Sequence, residues 1–431
     1  MTPLYDALEK YIKKEKLRMH MPGHKGSLPF PFGDCALFDA TELPDTGNLY
    51  TQNGPIQACE EQYEAICQSG ATLLSAGGST LCIQSMLSLF CPQSSKILIG
   101  RNCHAAAVNT AAMLDLNPVW LFPDEASGKY TYGRITPSAV KSALFKNPDA
   151  KAVYITSPDY FGVMSDIENI SLICREHNIP LLVDNAHGAH LVFFEKSHPI
   201  QLGADACCDS LHKTLPALTG AALLHLKDRS LKEKARHCMS LFGSTSPSYL
   251  IMLSADLLKN NFEELKLDYR KLAEKIYDFK LCYKQKWGTS GICDPVRISL
   301  NFNFNTFSEA KSLLDELRIE PELLFDGGLI LIPSPSQDLT SIDELALRLH
   351  NDGCETDNIK FLPGARAAGI REALFSEKEK VSIEDAIGRV AAETVFLCPP
   401  AVPLIIPGEV ISADMAANMK TNGIDRCFVI K

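Results

Sequence analysis

The sequence lacks the features that direct a chain into a membrane or out of the cell. It contains no run of about 18 apolar residues, so no membrane span is expected. Residues 1–16 contain no apolar core of a signal peptide. Internal repeats and low-complexity segments are also absent. The expected compartment is therefore the cytoplasm, and no membrane partner is expected.

Positive charge is in deficit. The chain has 42 lysines and arginines against 52 aspartates and glutamates, which gives a net charge of −10. A chain with this balance repels a phosphate backbone, so nucleic acid is not an expected partner. An acidic balance also suits a cationic substrate, although only weakly, because many cytosolic proteins are equally acidic.

The sequence has 15 cysteines but no Cys-x-x-Cys pair. Their number is odd, and several, such as Cys82, Cys207 and Cys208, lie in apolar surroundings. Buried reduced thiols are therefore expected, and a disulfide framework or a zinc ribbon is not. No Gly-x-Gly-x-x-Gly follows a predicted strand, which disfavours a nicotinamide enzyme.

What is present is a regular alternation of strands and helices. At 431 residues with 46% hydrophobic content, the chain can bury a large core. Predicted strands lie at 71–76, 96–100, 118–122, 152–156, 181–184 and 221–226, and predicted helices at 3–17, 56–69, 79–90, 104–114, 137–145 and 166–177. This alternation predicts an α/β fold, with a mostly parallel sheet flanked by helices.

Three parts are expected along the chain. Residues 1–54 form an N-terminal arm and an irregular segment. Residues 55–290 form the large domain, which ends in a long linking helical region. Residues 291–431, where short strands and helices alternate, form a smaller α+β C-terminal domain.

One lysine occupies an unusual position. An apolar strand-like run ends in Asp209-Ser210-Leu-His-Lys213, and a loop with Pro216 and Gly220 follows. This pattern predicts that Lys213 lies on a tight turn at the mouth of the sheet. A surface lysine is the common alternative, but apolar and small residues flank this one on both sides. A partly desolvated amine is a usable nucleophile, so Lys213 is a candidate for a Schiff base.

Two other groups complete a recognisable set. Asp184 ends a buried-type strand, and Gly77-Gly78-Ser79-Thr80 opens a predicted helix. Free N–H groups and the helix dipole suit a phosphate at such a helix start, although a plain helix cap is the more frequent explanation of these residues. Pyridoxal phosphate needs a phosphate anchor, an anion for its pyridinium nitrogen and a lysine for its aldehyde. The order of these groups therefore predicts this cofactor.

The chain resembles the pyridoxal-phosphate-dependent ornithine/lysine/arginine decarboxylases, which have fold type I like aspartate aminotransferase. It is most similar to their short bacterial form, without the N-terminal wing domain. The resemblance covers nearly the whole chain in the expected order. Its motifs are Met19-His-Met-Pro-Gly-His-Lys-Gly26, Thr41-Glu-Leu-Pro44, Gly54-Pro-Ile56, Gly77 to Thr80, Arg101-Asn-Cys-His104, Asp184-Asn-Ala-His-Gly-Ala-His190, Asp209-Ser-Leu-His-Lys-Thr-Leu215, Thr245-Ser-Pro-Ser-Tyr249, Gly388-Arg389 and Pro407-Gly-Glu409.

The resemblance implies a set of site residues. Lys213, His212 and His104 are the implied catalytic residues, and no metal ligand is implied. His104 would stack on the cofactor ring, and Thr245-Ser246 would reach the phosphate of a partner subunit. Taken alone, His104 also suits a helix start, and His212 a packing position. The implied cofactor-binding residues are Gly78, Ser79, Thr80, His104, Asp184, Ala186, His187, Ser210, His212, Lys213, Thr245 and Ser246.

The sequence departs from the family pattern at two places. Relatives have a histidine pair or a His-Pro where this chain has Tyr50-Thr-Gln-Asn, so the role of those histidines is not carried over. Relatives often have a threonine at the position of Gly78, so one phosphate hydroxyl is expected to be missing.

The resemblance implies decarboxylation of a basic L-amino acid by a homodimer with shared active sites, as in polyamine biosynthesis. Arginine is the preferred substrate, with lysine and ornithine open. Either His212 or Lys213 would protonate the product carbanion. The carboxylates considered for the distal cation of the substrate are Glu42, Asp45, Glu393 and Glu409.

Two other functions are compatible with parts of the pattern. The same fold and cofactor also serve aminotransferases and lyases, which the core motifs alone do not exclude. A metal-dependent hydrolase would use Asp184, His187 and His190. Gly188 and the preceding strand disfavour a helical placement of the two histidines, so the metal hydrolase ranks below the cofactor enzyme.

Overall fold

The computed structural model describes residues 17–19, 47–51, 54–124, 133–282, 293–301, 307–325, 328–348, 364–396 and 401–431. Most of the helix predicted at residues 3–17 lies outside these ranges. Its last residue is not helical, because Leu17 begins a strand, β1 (Leu17–Met19). This strand pairs in parallel with residues 319–321, far along the chain. Its partner supplies hydrogen bonds that a single sequence window does not reveal.

The large domain alternates helices and strands as predicted. The elements are α1 (Pro55–Cys67), β2 (Ala71–Ser75), α2 (Gly78–Phe90), β3 (Lys96–Gly100), α3 (Ala105–Met113), β4 (Asn117–Leu121), α4 (Pro137–Lys146), β5 (Val153–Thr156), α5 (Ile167–Glu176), β6 (Leu181–Asp184), β7 (Ala206–Ser210), α6 (Leu211–Thr214) and β8 (Ala222–Leu226). Strands β3 and β6 match their predicted bounds residue for residue. The other predicted bounds between residues 55 and 226 differ from those of the structure by at most two residues.

Three further helices follow, and short strands and helices then make up the C-terminal part. They are α7 (Lys232–Phe242), α8 (Tyr249–Leu258), α9 (Phe262–Cys282), β9 (Ile298–Asn301), α10 (Phe307–Glu316), β10 (Ile319–Pro321), β11 (Leu323–Phe325), β12 (Gly328–Leu331), α11 (Thr340–Arg348), α12 (Ile370–Phe375), β13 (Lys378–Ser382), α13 (Ile383–Ala386), β14 (Val395–Phe396), β15 (Pro403–Ile405), α14 (Ala413–Thr421) and β16 (Arg426–Ile430). Within the described residues, no helix has both the length and the apolar character needed to cross a bilayer.

Seven strands form the central sheet, in the order β2-β8-β7-β6-β5-β3-β4. The pairings from β7 to β4 are parallel, whereas β8 is antiparallel to both β7 and β2. The chain reverses there because only the one-turn helix α6 and a tight loop join β7 to β8, and a parallel connection needs a longer crossover. The predicted α/β fold with a mostly parallel sheet is confirmed.

Helices cover both faces of this sheet because side chains along a strand point to alternate faces. Leu182 packs with α2, α3 and α7 on one face. Its neighbours Leu181 and Val183 pack with α4 and α5 on the other face. A strand buried on both sides needs apolar residues at successive positions, which is why 181–183 reads Leu-Leu-Val.

A C-terminal segment, residues 401–409, docks against the end of β3. The buried Arg101 guanidinium donates to the carbonyl oxygens of Pro403 at 2.5 Å and Leu404 at 3.0 Å. It also lies 3.4 Å from a carboxylate oxygen of Glu409. The Ala105 N–H donates to the Ala401 carbonyl at 3.0 Å. These bonds bring the C-terminal segment to the edge of the sheet where the strands end.

Candidate active site

A cavity of about 270 Å³ lies where β5, β6 and β7 end. Open α/β sheets bind ligands at this edge, because the strands end there and the following loops diverge. Ten of the twelve residues predicted for the cofactor line this cavity, namely Gly78, Ser79, Thr80, His104, Asp184, Ala186, His187, Ser210, His212 and Lys213. The two others, Thr245 and Ser246, are exposed and do not line it.

Lys213 lies on the one-turn helix α6, not on the expected tight turn. Its Nζ is 3.0 Å from Nε2 of His187. Burial lowers the pKa of Lys213, and the nearby Asp184 carboxylate offsets only part of that effect. Burial also places the pKa of His187 well below its usual range, with a further contribution from the Lys213 charge. Burial therefore shifts both the amine and the imidazole toward their neutral forms.

Asp184 is the last residue of β6 and is 2% exposed. Its Oδ2 accepts a hydrogen bond from the Tyr154 hydroxyl at 3.1 Å. Its Oδ1 accepts from the Ala186 N–H at 3.1 Å and from the Cys208 thiol at 3.6 Å. Burial raises the pKa of Tyr154 well above its usual value, so the hydroxyl keeps its proton and remains a donor. Donors on both oxygens fix the carboxylate in one orientation.

The start of α2 forms the wall opposite. Gly77 is the N-cap and has no side-chain capping bond, so Ser79 and Thr80 belong to the first turn and are not the helix cap. Gly78 has φ +67° and donates its N–H to the Gly220 carbonyl at 2.8 Å. The first-turn amides that follow have no intrahelical partners, which suits an anion.

Two buried hydroxyls beside the cavity, Ser210 Oγ and Thr156 Oγ1, have no hydrogen-bond partner within the described residues. Buried polar atoms normally have a hydrogen-bond partner, and these two lie where a ligand in the cavity could supply one. With the α2 amides and Asp184, they give the cavity an anion-accepting end and an anionic end. The residues therefore fit a small molecule that carries both a phosphate and a protonated ring nitrogen, as pyridoxal phosphate does.

The two other histidines have structural partners as well as cavity positions. His104 is the N-cap of α3, and its Nδ1 accepts from the Ala106 N–H at 3.1 Å. His212 Nδ1 lies 3.1 Å from the Ala221 carbonyl oxygen. Burial lowers the pKa of His104. His104 therefore caps the start of α3 and also lines the cavity.

The structure does not show any of the four carboxylates considered for the distal cation of the substrate as an available acceptor within the described residues. Glu42 and Asp45 lie outside the described residues. Glu393 pairs with Lys378 at 2.8 Å. Glu409 pairs with Arg101 and also accepts from the Ile406 N–H at 2.9 Å. A buried carboxylate that already anchors an arginine is a structural group.

The alternative metal site does not assemble. His190 Nε2 lies 3.0 Å from Asp294 Oδ1, and His190 does not line the cavity with Asp184 and His187. Within the described ranges, one group of close potential ligands occurs, formed by His198, Cys207 and Asp209. There the Asp209 carboxylate is already paired with His198 at 3.0 Å. A hydrogen-bonded core cluster explains it without an ion.

Sequence reasoning missed several residues at the cavity. Thr156 ends β5 beside Asp184, so its position at a strand end was a usable signal. Tyr160 lines the cavity, and its hydroxyl donates to Glu322 at 2.8 Å. Arg297 donates to the Tyr160 carbonyl at 2.7 Å. Glu322 and Arg297 come from segments more than 130 residues after Tyr160, and no local pattern indicates that they meet it.

Comparisons with known proteins identify the family of this chain. The sequence profile of the Orn/Lys/Arg decarboxylase major domain matches residues 2–287, and that of the C-terminal domain matches residues 364–420. The arginine decarboxylase of Bacillus subtilis is 27% identical over 96% of this chain and 92% of its own length. The arginine decarboxylase of Halalkalibacterium halodurans is 28% identical over 98% and 93%.

Among solved structures, the constitutive lysine decarboxylase of Escherichia coli superposes with a TM-score of 0.72. It is 18% identical, and the match covers 100% of this chain and 82% of that one. At this identity the likeness establishes the fold. The major-domain profile spans well over half of the sequence, including every strand of the central sheet. The chain is therefore a decarboxylase that belongs to the Orn/Lys/Arg decarboxylase family.

Proposed function

We propose that this chain uses pyridoxal phosphate to decarboxylate a basic L-amino acid, preferably arginine, and releases the corresponding amine and CO2. The observation that carries the proposal is the convergence of Lys213, Asp184 and the start of α2 on one cavity. Relatives named arginine decarboxylase along nearly their whole length support arginine over lysine and ornithine. The cytoplasm remains the proposed compartment, and polyamine formation the proposed context.

The geometry of the cavity supports the proposed cofactor contacts. The first turn of α2 and the unpartnered Ser210 hydroxyl would hold the phosphate. Asp184 would face the ring nitrogen, His104 would lie against the ring, and Lys213 would supply the amine for the aldehyde. When bound, pyridoxal phosphate supplies an electron sink for the electron pair that the departing carboxylate leaves behind.

The residues of this chain perform the remaining tasks. Tyr154 and the Ala186 N–H keep the Asp184 carboxylate in a fixed orientation. Lys213, whose pKa is lowered by burial, can act as nucleophile and later as proton carrier. His212 lines the same cavity and is the second candidate for protonating the carbanion of the substrate. The apolar wall formed by Ile83 and Val402 reduces the access of water to the reacting carbon.

Glu322 is the proposed acceptor for the distal cation of the substrate. It follows β10, and it accepts a hydrogen bond from the cavity residue Tyr160 at 2.8 Å. Its charge raises the pKa of Lys213, although burial lowers that pKa more, so the carboxylate lies within electrostatic reach of the amine. A guanidinium or ammonium group on a short alkyl chain would find an anion there.

We also propose that each chain consists of three parts, residues 1–54, 55–290 and 291–431. Two chains would form a homodimer with shared active sites. The family resemblance assigns Thr245 and Ser246 to the phosphate site of a partner subunit. Both are exposed and are not among the residues that line the cavity of their own chain, which is compatible with that assignment. Sedimentation of the purified chain tests this arrangement, and a monomer with full activity would contradict it.

The function is tested with the purified chain, pyridoxal phosphate and each of arginine, lysine and ornithine, by measuring CO2 and the amine product. We expect release from arginine first. Glu322→Gln should reduce kcat/KM for the basic substrate by about ten- to a hundredfold, because a charge-assisted bond to the substrate is lost. Glu316→Gln is the matched control, because Glu316 is an exposed glutamate paired with Arg348, and it should change kcat/KM little. Bound cofactor without CO2 from any of the three would refute the proposal.

A further inference from the structure

Arg297 lies behind the cavity, where none of the sequence motifs placed a functional residue. It immediately precedes β9 and is 2% exposed. Its Nη1 donates to the Tyr160 carbonyl at 2.7 Å, and its Nη2 donates to the His187 carbonyl at 3.4 Å. Both Nη atoms lie 3.4 Å from Nδ1 of His187. The guanidinium therefore covers the back of the imidazole that contacts Lys213.

The fold makes room for this guanidinium and holds it. Gly162 has φ +86°, and a Cβ there would come within 2.8 Å of the Arg297 Cγ. Asp294 lies 3.9 Å from Arg297 Nε, and its Oδ1 accepts the backbone N–H groups of Val296 and Arg297. The turn from Asp294 to Arg297 thus fixes the backbone of the arginine, and Gly162 leaves space for the aliphatic part of its side chain.

Donor chemistry then determines the proton on His187. A guanidinium has only donors, so Nδ1 of a neutral His187 must present its lone pair to Arg297. The ring proton is therefore on Nε2, which points at Lys213 Nζ across 3.0 Å. An ammonium group cannot accept that proton, whereas a neutral amine can. If both contacts of the imidazole are hydrogen bonds, the lysine is the acceptor and is therefore a free base.

We propose that Arg297 is a positioning residue that fixes the tautomer of His187 and thereby holds the Lys213 amine as a free base, ready to attack an aldehyde carbon. The inference rests on the proposed role of Lys213, but it concerns a state of the chain before any cofactor binds. It assigns a task to a residue in the C-terminal part of the molecule, outside the helices and strands that line the cavity.

Other charged groups face His187 and Lys213, and some favour while others disfavour their protonated forms. Arg297, His104 and His212 disfavour a proton on His187. Asp184, Glu322 and Cys208 favour the charged form of Lys213, and Arg297 opposes it. Arg297 is the one cation among these groups that also hydrogen-bonds the imidazole. It is therefore the group whose removal changes both the charge and the tautomer.

The test measures the reactivity of Lys213 in the full chain freed of cofactor. Acetic anhydride labels only neutral amines, so the rate of Lys213 acetylation against pH, followed by peptide mass spectrometry, reports its protonation. In Arg297→Gln we expect the profile to move to higher pH, with acetylation about tenfold slower at neutral pH. Arg297→Lys, which keeps a donor-only cation, should restore much of the rate.

Lys280→Gln is the matched control. This variant removes another cation, whose Nζ donates to the Asp294 carbonyl. Among the described residues, no hydrogen bond or ion pair joins Lys280 to His187. The profile of Lys280→Gln should coincide with that of the unmodified chain. A folded Arg297→Gln variant with an unshifted profile would overturn the proposal. That result would leave the decarboxylase function intact, since CO2 release is measured separately.

A second measurement does not depend on any Arg297 variant. Long-range 1H–15N correlation on the 15N-histidine-labelled chain identifies the tautomer of each neutral imidazole, and the spectrum of His187→Gln assigns the His187 signals. We expect a proton on Nε2. A proton on Nδ1 would overturn the proposal, even if Arg297→Gln proved unable to fold.

Discussion

At the scale of single residues, Lys213 combines burial with a contact to the His187 imidazole and the charge of the nearby Asp184 carboxylate. Burial is the larger influence on its pKa, so the amine differs from the many surface lysines of this chain. Asp184 is also distinguished by its surroundings, because three hydrogen-bond donors from separate segments hold its carboxylate at the end of β6. Reactivity here comes from surroundings that the residue types alone do not show.

Replacing Lys213 by alanine should abolish CO2 release, because no other lysine among the described residues lines the cavity. Borohydride reduction of the loaded chain, followed by peptide mapping, should place the cofactor on Lys213. Lys227→Ala is the control, since this lysine is exposed just beyond β8. Measurable turnover by Lys213→Ala would show that the amine has been assigned wrongly.

Much of the residue-scale site could be predicted from the sequence. Asp184, Lys213 and the Gly78–Thr80 turn were recognisable because each follows or precedes a regular element, and parallel strands bring their carboxyl ends together. Tyr160 and Glu322 were not predicted. Their meeting depends on how the C-terminal part folds back over the sheet, and no period or local spacing encodes that.

At the scale of elements, the start of α2 shows how a backbone conformation can serve a ligand. Gly78 adopts φ +67°, and a Cβ added there would meet nothing within 4 Å. The glycine is therefore required by its conformation and not by crowding within the chain. Its open side faces the cavity, where the proposed phosphate would lie.

Gly78→Ala should therefore lower cofactor affinity more than it lowers stability. The left-handed conformation costs an alanine about 1 kcal/mol, whereas a methyl group in the phosphate site should weaken pyridoxal phosphate binding about tenfold or more. Gly388→Ala is the control for backbone strain, since Gly388 has φ +80° and a Cβ there would also meet nothing within 4 Å. Equilibrium titration and thermal melting separate the two effects. Equal cofactor affinity in the two variants would contradict the phosphate assignment.

Element boundaries were predicted well, and element pairing was not. Long apolar runs and capping residues mark where strands and helices begin and end, as in β3 and β6. The antiparallel placement of β8 between β7 and β2 has no local signature. It follows from the short connection through α6, which is too short for a crossover helix.

At the scale of the whole molecule, a buried ion pair joins the C-terminal segment to the central sheet. Arg101→Met should lower the free energy of unfolding by about 3–5 kcal/mol, because it leaves Glu409 and two carbonyls buried without their donor. Urea unfolding measures the change. Arg348→Met breaks an exposed pair with Glu316 and should leave the free energy of unfolding almost unchanged. Similar losses in both variants would refute the structural role of Arg101.

The cysteines report on the integrity of the whole fold. Burial raises the pKa of Cys82 and of Cys103 to about 12, so at pH 8 only about one thiol in ten thousand is ionised. Because the thiolate is the nucleophile, iodoacetamide should leave these two intact in the native chain and label both in urea. Cys293, which is partly exposed, should react first among the described cysteines. Rapid native labelling of Cys82 would contradict the described core.

The sequence by itself determined the class of fold, the bounds of most elements and the residues that mark the cavity. The fold class, the element bounds and the positions of Asp184, Lys213 and Gly78–Thr80 depend on periodicity, capping and strand ends, which act over a few residues. The roles of the other predicted cavity residues came from the family resemblance. Tertiary structure alone decided that Arg297 lies against His187, that Glu322 reaches Tyr160, and that Glu409 serves Arg101 and not a substrate. Each of these pairs is separated by more than 100 residues. Their contact is set by the packing of the C-terminal part on the sheet, which local interactions do not specify.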